Sequence, residues 1–297
     1  MYTPKEVAHN YLATGKAKTQ YPVQKVLVLA IMAGMFIGLA GAGANVAMAS
    51  VAGGSLQNFG KLLAAMVFPA GLAMVLIAGS ELFTGNCLII VPVLQKEVKL
   101  NAMFKNWVLV YIGNFIGGII IALITVYGGT YKLFDNTAAA TAIYTAVSKV
   151  SMPFWDAFLR GILCNFVVCA AVWMTFAAKD IVGKIAALFL PIMLFVLSGY
   201  EHSIANMCFI PSGLFAINNP AYVNAFEAIY HHGDIHALTW GAFFVKNLIP
   251  STLGNIVGGA GCVGIAYWFA YIRVSDDKEA AKSAHNTKST GNKKKKK

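Results

Sequence analysis

Gly-Tyr-Glu-His-Ser-Ile-Ala-Asn-Met, residues 199–207, lies in the middle of an apolar run from Ala186 to Leu214. Glu201 and His202 are ionisable groups where hydrocarbon is expected. Such groups are tolerated beside a partner or a cavity, which makes them functional candidates. An earlier stretch, Gly-Ser-Glu-Leu-Phe-Thr-Gly-Asn at 79–86, repeats the pattern: Gly79, Glu81 and Asn86 align with Gly199, Glu201 and Asn206. Two matched interruptions in two matched hydrophobic segments point to a transport site near the bilayer midplane.

The likeness extends beyond the interruptions. Residues 105–118 and 246–259 share Lys105/Lys246, Asn106/Asn247, Gly113/Gly254, Asn114/Asn255, Gly117/Gly258 and Gly118/Gly259. A weaker match pairs Gly34 with Gly161 and Gly38 with Asn165. Apolar runs at about 26–50, 61–94, 105–128, 153–178, 183–214 and 241–272 predict six spans. Three spans per half is an odd number, so the second half enters the membrane from the opposite side. The expected fold is an all-α membrane protein of six transmembrane helices. It is a 3+3 inverted repeat (about 26–128 and 153–272) with helices two and five broken. Gly34, Gly38, Gly41 and Gly43 let the first span approach its neighbours closely.

Composition agrees. Of 297 residues, 58% are hydrophobic and 12% charged, which fits a polytopic membrane protein and not a soluble one. The net charge of +11 is not read as nucleic-acid binding, because the lysines gather at the two ends. Residues 1–25 read as an amphipathic segment on the membrane surface, with Val7, Tyr11 and Leu12 opposite Lys16 and Lys18. Residues 26–273 form the transmembrane domain, and 274–297 a disordered basic tail ending in five lysines. No cleavable signal peptide is evident. The basic residues fall in alternate loops, which predicts a multi-pass protein of the inner or plasma membrane with both termini cytoplasmic. The five cysteines form no CxxC pair and read as buried packing residues. No metal or other cofactor is expected, although His231, His232 and His236 share the 216–240 loop.

A broken helix leaves backbone groups that need partners in lipid. Glu81 and Glu201 are expected to accept the freed N–H groups and hold the turns. Half-helices starting near Cys87 and Met207 would direct positive dipole ends toward an anion. His202 is expected to face the cavity, with the Thr84 hydroxyl near the same plane. Asn165 and Asn255 either bridge helices or line a pore. Lys149 either draws anions into a vestibule or is a solvated interface lysine. Arg160 is expected to pair with a carboxylate or with backbone carbonyls. No nucleophile–base pair is present, so an enzyme is not expected. An aquaporin-type pore for neutral solutes would need paired Asn-Pro-Ala loops, and the only such triplet, at 219–221, has no mirror partner.

Phe-Val-Leu-Ser-Gly-Tyr-Glu-His-Ser-Ile-Ala-Asn-Met (195–207), Glu-Leu-Phe-Thr-Gly-Asn (81–86) and Asn-Leu-Ile-Pro-Ser-Thr-Leu-Gly-Asn (247–255) resemble the signatures of the formate/nitrite transporter family. The resemblance runs from about Lys16 to Arg273 and is strongest to the formate branch, with hydrosulfide channels as near relatives. It implies an aquaporin-like fold with one pore per subunit in a homopentamer. The pore would conduct small monovalent anions: formate first, with nitrite, hydrosulfide, acetate or lactate as alternatives. Movement would be passive or coupled to protons, and gated by pH through the N-terminal helix and His202. His202 would be the central pore histidine, Thr84 the threonine facing it, Lys149 the outer basic residue, and Asn165 and Asn255 the pore asparagines. Leu72, Leu82, Phe83 and Ala205 would form the cytosolic constriction, and Phe68, Val168 and Phe195 the outer one.

Overall fold

In the computed structural model the described residues are 1–231 and 233–273, and all regular structure among them is helical. The predicted tail at 274–297 and His232 lie outside them.

In chain order the helices are α1 (Pro4–Gln20), α2 (Val23–Ala49), α3 (Gln57–Ala78), α4 (Phe83–Leu94), α5 (Leu100–Tyr127) and α6 (Thr137–Val150). There follow α7 (Phe154–Thr175), α8 (Ile181–Leu197), α9 (Ser203–Ala216), α10 (Pro220–Ile229) and α11 (Trp240–Arg273). Five of them, α2, α3, α5, α7 and α11, are long and apolar enough to cross a membrane. The chain is a multi-pass membrane protein.

α1 departs from expectation. Thr3 and Glu6 form a capping box at its start, and Pro4 fits the first turn because its missing N–H has no partner there in any case. Its apolar face is spent on protein and not on lipid. The Tyr11 ring lies 5.5 Å from that of Trp173 and 5.4 Å from that of Phe176. The helix therefore docks on the end of the bundle and carries Lys18 into it.

The two most extensive helix pairings are α2 with α5 and α7 with α11. Both use the matched glycines. A Cβ on Gly117 would fall on the carbonyl of Ile31, and one on Gly258 on the carbonyl of Ile162. Only a residue without a side chain lets these backbones meet.

Ala138–Ala140, which fall between the third and fourth predicted spans, are buried in the first turn of α6. Two further expectations are corrected. The segment 216–240, read as a loop, contains α10, which Asn219 caps by accepting from the Ala221 N–H ahead of Pro220. The helices after the interruptions start at Phe83 and Ser203, four residues before the predicted starts.

Candidate functional site

α3 ends at Ala78 on Gly79 (φ 80), and α8 ends at Leu197 just before Gly199 (φ 70). Both angles are left-handed and favour glycine. The extended residues that follow are held in matched fashion. Asn114 Nδ2 donates to the carbonyls of Ala30 (2.7 Å) and Glu81 (2.9 Å), and its Oδ1 accepts the Phe83 N–H (2.9 Å). Asn255 Nδ2 donates to the carbonyls of Gly161 and Glu201 (both 2.8 Å), and its Oδ1 accepts the Ser203 N–H (2.9 Å). The N–H of Glu81 reaches the Leu29 carbonyl and that of Glu201 the Arg160 carbonyl, each at 3.2 Å. Asparagine amides thus meet backbone groups that lipid would leave bare.

The carboxylates do something other than predicted. They accept side-chain donors, not the freed backbone N–H groups. Glu81 accepts from Lys18 Nζ (2.8 Å) and Asn86 Nδ2 (2.7 Å). Glu201 accepts from Lys149 Nζ (2.8 Å), Asn206 Nδ2 (2.7 Å) and Asn247 Nδ2 (2.9 Å). Asn106 and Asn247 in turn donate to the backbone carbonyls of Lys18 (3.2 Å) and Lys149 (3.1 Å). Each buried carboxylate is therefore paired and hydrogen-bonded, as burial of charge requires. Lys149 is not a solvated interface residue, since its side chain is 14% exposed. The clusters differ at two points: Asn86 Oδ1 accepts from Lys18 (3.0 Å) whereas Asn206 Oδ1 is buried without a partner, and Asn247 donates to Glu201 (2.9 Å) whereas Asn106 makes no such bond to Glu81.

His202 and Thr84 meet between the two interruptions. His202 caps α9: its Nδ1 accepts the Ala205 N–H at 3.0 Å. An accepting Nδ1 puts the ring proton of neutral imidazole on Nε2. Nε2–H then donates to Thr84 Oγ1 at 3.1 Å. The Thr84 hydroxyl proton is left to point elsewhere. Behind it, the Thr84 carbonyl accepts from Asn165 Nδ2 (3.1 Å) and Cys169 Sγ (3.2 Å). Asn165 and Asn255, expected either to bridge helices or to line a pore, are fully buried, and their amides donate to backbone carbonyls of neighbouring elements.

Two cavities approach this point from opposite ends of α2. The larger, about 510 Å³, reaches Lys61, Lys149 and Arg160, with Phe68, Phe195 and His202 at its floor. The smaller, about 270 Å³, is walled by Lys18, Lys25, Leu72, Leu82 and Glu81. They share no lining residue. Phe68 and Leu72 are one turn, about 5 Å, apart on a single face of α3, so at the septum between the cavities that face passes from one to the other within a turn.

Of the predicted constriction residues, Phe68 and Phe195 line the larger cavity, with ring centroids 5.5 Å apart, edge to face. Leu72 and Leu82 line the smaller one. Val168, one turn before Val172 on α7, is buried and lines neither cavity. Ala205, expected beside Leu72, faces the larger cavity instead, because the first turn of α9 follows His202 there. Phe83 lines neither cavity; Asn114 holds its N–H, and its ring packs on Trp107 (6.0 Å) and Tyr111 (5.0 Å). Arg160, expected to pair, makes no ion pair or side-chain hydrogen bond among the described residues, and neither does Lys61.

Sequence reasoning missed Phe209, which lies under Lys149 (5.5 Å) and stacks with Phe68 (6.3 Å). Its position one turn beyond Ala205 on α9 was the available signal. Lys18 was also missed. It stands five residues before the start of α2, as Lys149 stands five before α7.

Comparison with known proteins gives consistent results. The sequence profile described as formate/nitrite transporter matches residues 5–269. The chain is 36% identical over 286 residues to a probable formate transporter of Methanothermobacter thermautotrophicus, covering 91% of this chain and 97% of that protein. It is 37% identical over 258 residues to the formate channel FocA of Haemophilus influenzae, covering 82% and 87% respectively. Among solved structures, a pentameric formate channel with formate bound superimposes with a TM-score of 0.72 at 34% identity, covering 84% of this chain and 98% of that one.

Proposed function

From the premise that this chain belongs to the formate/nitrite transporter family, we propose that it is a channel for small monovalent anions, with formate as its principal substrate. The observation that carries this reading is the Thr84–His202 contact between two blind cavities, one opening at each end of α2. The channel is the inverted 3+3 repeat described above, in which α3–α4 and α8–α9 are the two broken spans. Support for the inversion comes from the matched clusters: Lys18, Glu81 and Asn86 line one cavity, and Lys149, Glu201 and Asn206 the other. Five such chains assemble as a homopentamer with one pore in each. The protein lies in the inner or plasma membrane with both termini cytoplasmic, so the smaller cavity opens to the cytosol.

The basic residues of each cavity raise the local anion concentration. At the septum, Phe68 and Phe195 on one side and Leu72 and Leu82 on the other force the anion to shed water, which is costly for a charge. The Thr84 hydroxyl, polarised by the imidazole behind it, donates to the anion oxygen at that step. In the proton-coupled form of the same passage, the carboxylate takes a proton from the aqueous side it leaves, crosses as its neutral acid, and returns that proton to water on the other side. The imidazole stays neutral in this arrangement, because a proton on Nδ1 would face the Ala205 N–H. pH-dependent closure involves α1, which brings Lys18 and Tyr11 to the cytosolic cavity.

Flux into proteoliposomes tests the reading. Wild-type protein is expected to pass formate faster than nitrite, hydrosulfide, acetate or lactate, and His202→Ala to lower that flux at least about tenfold. Unchanged flux of every anion at every pH in His202→Ala would remove the histidine from the pathway. Deleting residues 1–20 is expected to abolish closure on acidification; closure that persists would remove α1 from gating.

A further inference from the structure

We propose that Lys61 and Arg160 form an oxyanion-binding site in the mouth of the larger cavity, separate from the crossing point at Thr84 and His202, and that its ligands are doubly charged oxyanions such as sulfate and inorganic phosphate. The geometry at Gly199 supplies the first argument. A Cβ built there would sit 2.9 Å from Lys61 Nζ and 3.9 Å from Arg160 Nη1. The two cationic heads thus converge on one small volume and lie within about 7 Å of each other, close enough to repel. Glycine at this left-handed position keeps the volume between them empty.

The second argument is charge balance. The cavity is lined by Lys61, Lys149 and Arg160, and by a single carboxylate, Glu201. That carboxylate is taken by Lys149 at 2.8 Å. Asp156, one turn before Arg160 on α7, makes no ion pair with it. Two uncompensated cations therefore share the mouth. A guanidinium presents paired N–H donors that match two oxygens of one ligand, while the ammonium adds a point charge beside it.

The mirrored turn supplies the third. Gly79 has the same left-handed angle, yet nothing lies within 4 Å of the corresponding Cβ position. Convergence of cations is not a requirement of this backbone turn; it is peculiar to the larger cavity. Ligands with two charges are held there more strongly than monovalent ones. They are also kept from the septum, because Phe68 and Phe195 would strip a more strongly hydrated ion. The site consequently retains such anions and slows entry behind them.

Isothermal titration of the full-length protein in detergent with sodium sulfate, at constant ionic strength in chloride, tests the proposal. One sulfate per chain is expected to bind, and Lys61→Gln or Arg160→Gln to weaken it at least about tenfold. The charge-keeping Lys61→Arg is expected to retain binding within about threefold, and Arg160→Lys, which keeps the charge but loses the paired donors, to weaken it less than Arg160→Gln does; the two separate loss of charge from loss of fold. Lys16→Gln, whose ammonium pairs with Glu97 at the far end, is the control and should bind as wild type does. Sulfate should also raise the melting temperature of wild type and not of the neutral variants, by mass action. Absence of saturable sulfate binding in wild type, or equal affinity in the neutral variants, would overturn the site. The readout is binding and not flux, so a failure of the formate reading would leave it standing, and the reverse holds too.

Discussion

Thr84 Oγ1 and His202 Nε2 lie 3.1 Å apart although 118 residues separate them in the chain. Each belongs to a different interruption, and each is held by something other than the bond itself. His202 is fixed by the Ala205 N–H, and Thr84 through its carbonyl by Asn165 and Cys169. Both residues are therefore held in place by partners outside their own contact. Thr84→Val keeps shape and removes the donor. It is expected to lower formate flux roughly tenfold, as loss of one hydrogen bond of about 1–2 kcal/mol implies. Thr84→Ser should retain most of it. Proteoliposome uptake measures both; a valine variant as fast as wild type would exclude the hydroxyl from the passage.

In the Lys149–Glu201 pair the carboxylate is buried and the ammonium is largely shielded, with side-chain exposures of 3% and 14%. Removing one partner strands the other charge. Glu201→Gln is expected to lower stability by about 3 kcal/mol, and Lys149→Met with Glu201→Gln together by less than either single change. Thermal denaturation of the detergent-purified protein reads this. Additive losses in the double variant would show that the ion pair contributes nothing beyond its separate hydrogen bonds.

Gly79 and Gly199 share a left-handed backbone but differ in surroundings. Alanine at either costs about 1 kcal/mol for the angle alone. At Gly79 nothing else is within 4 Å, whereas at Gly199 the new methyl meets Lys61 Nζ at 2.9 Å. Gly199→Ala is thus expected to cost no less stability than Gly79→Ala and to be the only one of the two that disturbs the larger cavity. Melting curves together with sulfate titration distinguish them.

These matched turns were legible in the sequence because glycine, glutamate and asparagine recur at one spacing inside apolar runs. Asn114 and Asn255 stood out for the same reason. Their task did not, since a sequence says that an amide is buried but not which carbonyl it meets. Lys18 was hidden by its place. It precedes the first long apolar run on a helix that reads as amphipathic, and only the docking of Tyr11 brings it to Glu81. Its likeness to Lys149 shows in matched partners, Glu81 for the one and Glu201 for the other, and in their like distance before a long helix. Arg160 was misjudged because a charge deep in an apolar helix invites a partner; here it opens on a water-accessible mouth instead. Helix α10 was overlooked although Asn219-Pro220 is a helix start, because the surrounding His, Gly and Asp residues dominate that segment.

Acid affects α1 through Glu6. Its carboxylate accepts from the Thr3 N–H (2.7 Å) and the Thr3 hydroxyl (2.8 Å), which holds its pKa below the usual 4.5. A lowered value means that the carboxylate's contribution to the capping box is fully present above the ordinary glutamate range and is lost as pH falls through the lowered one. The first turn of α1 should therefore stay closed at pH 5–6 and fray only in stronger acid. Hydrogen exchange of the amides of residues 5–7 against pH checks this, and Glu6→Ala should fray the turn at every pH.

Because Asn165 and Cys169 come from the second half of the chain, the ribosome finishes the Thr84 turn long after it has made it. Until α7 is made, the two donors that hold that carbonyl in the folded protein do not exist. A gene cut between α6 and α7 would yield two pieces that insert yet conduct nothing apart, and that regain a pathway only when they find each other in the lipid.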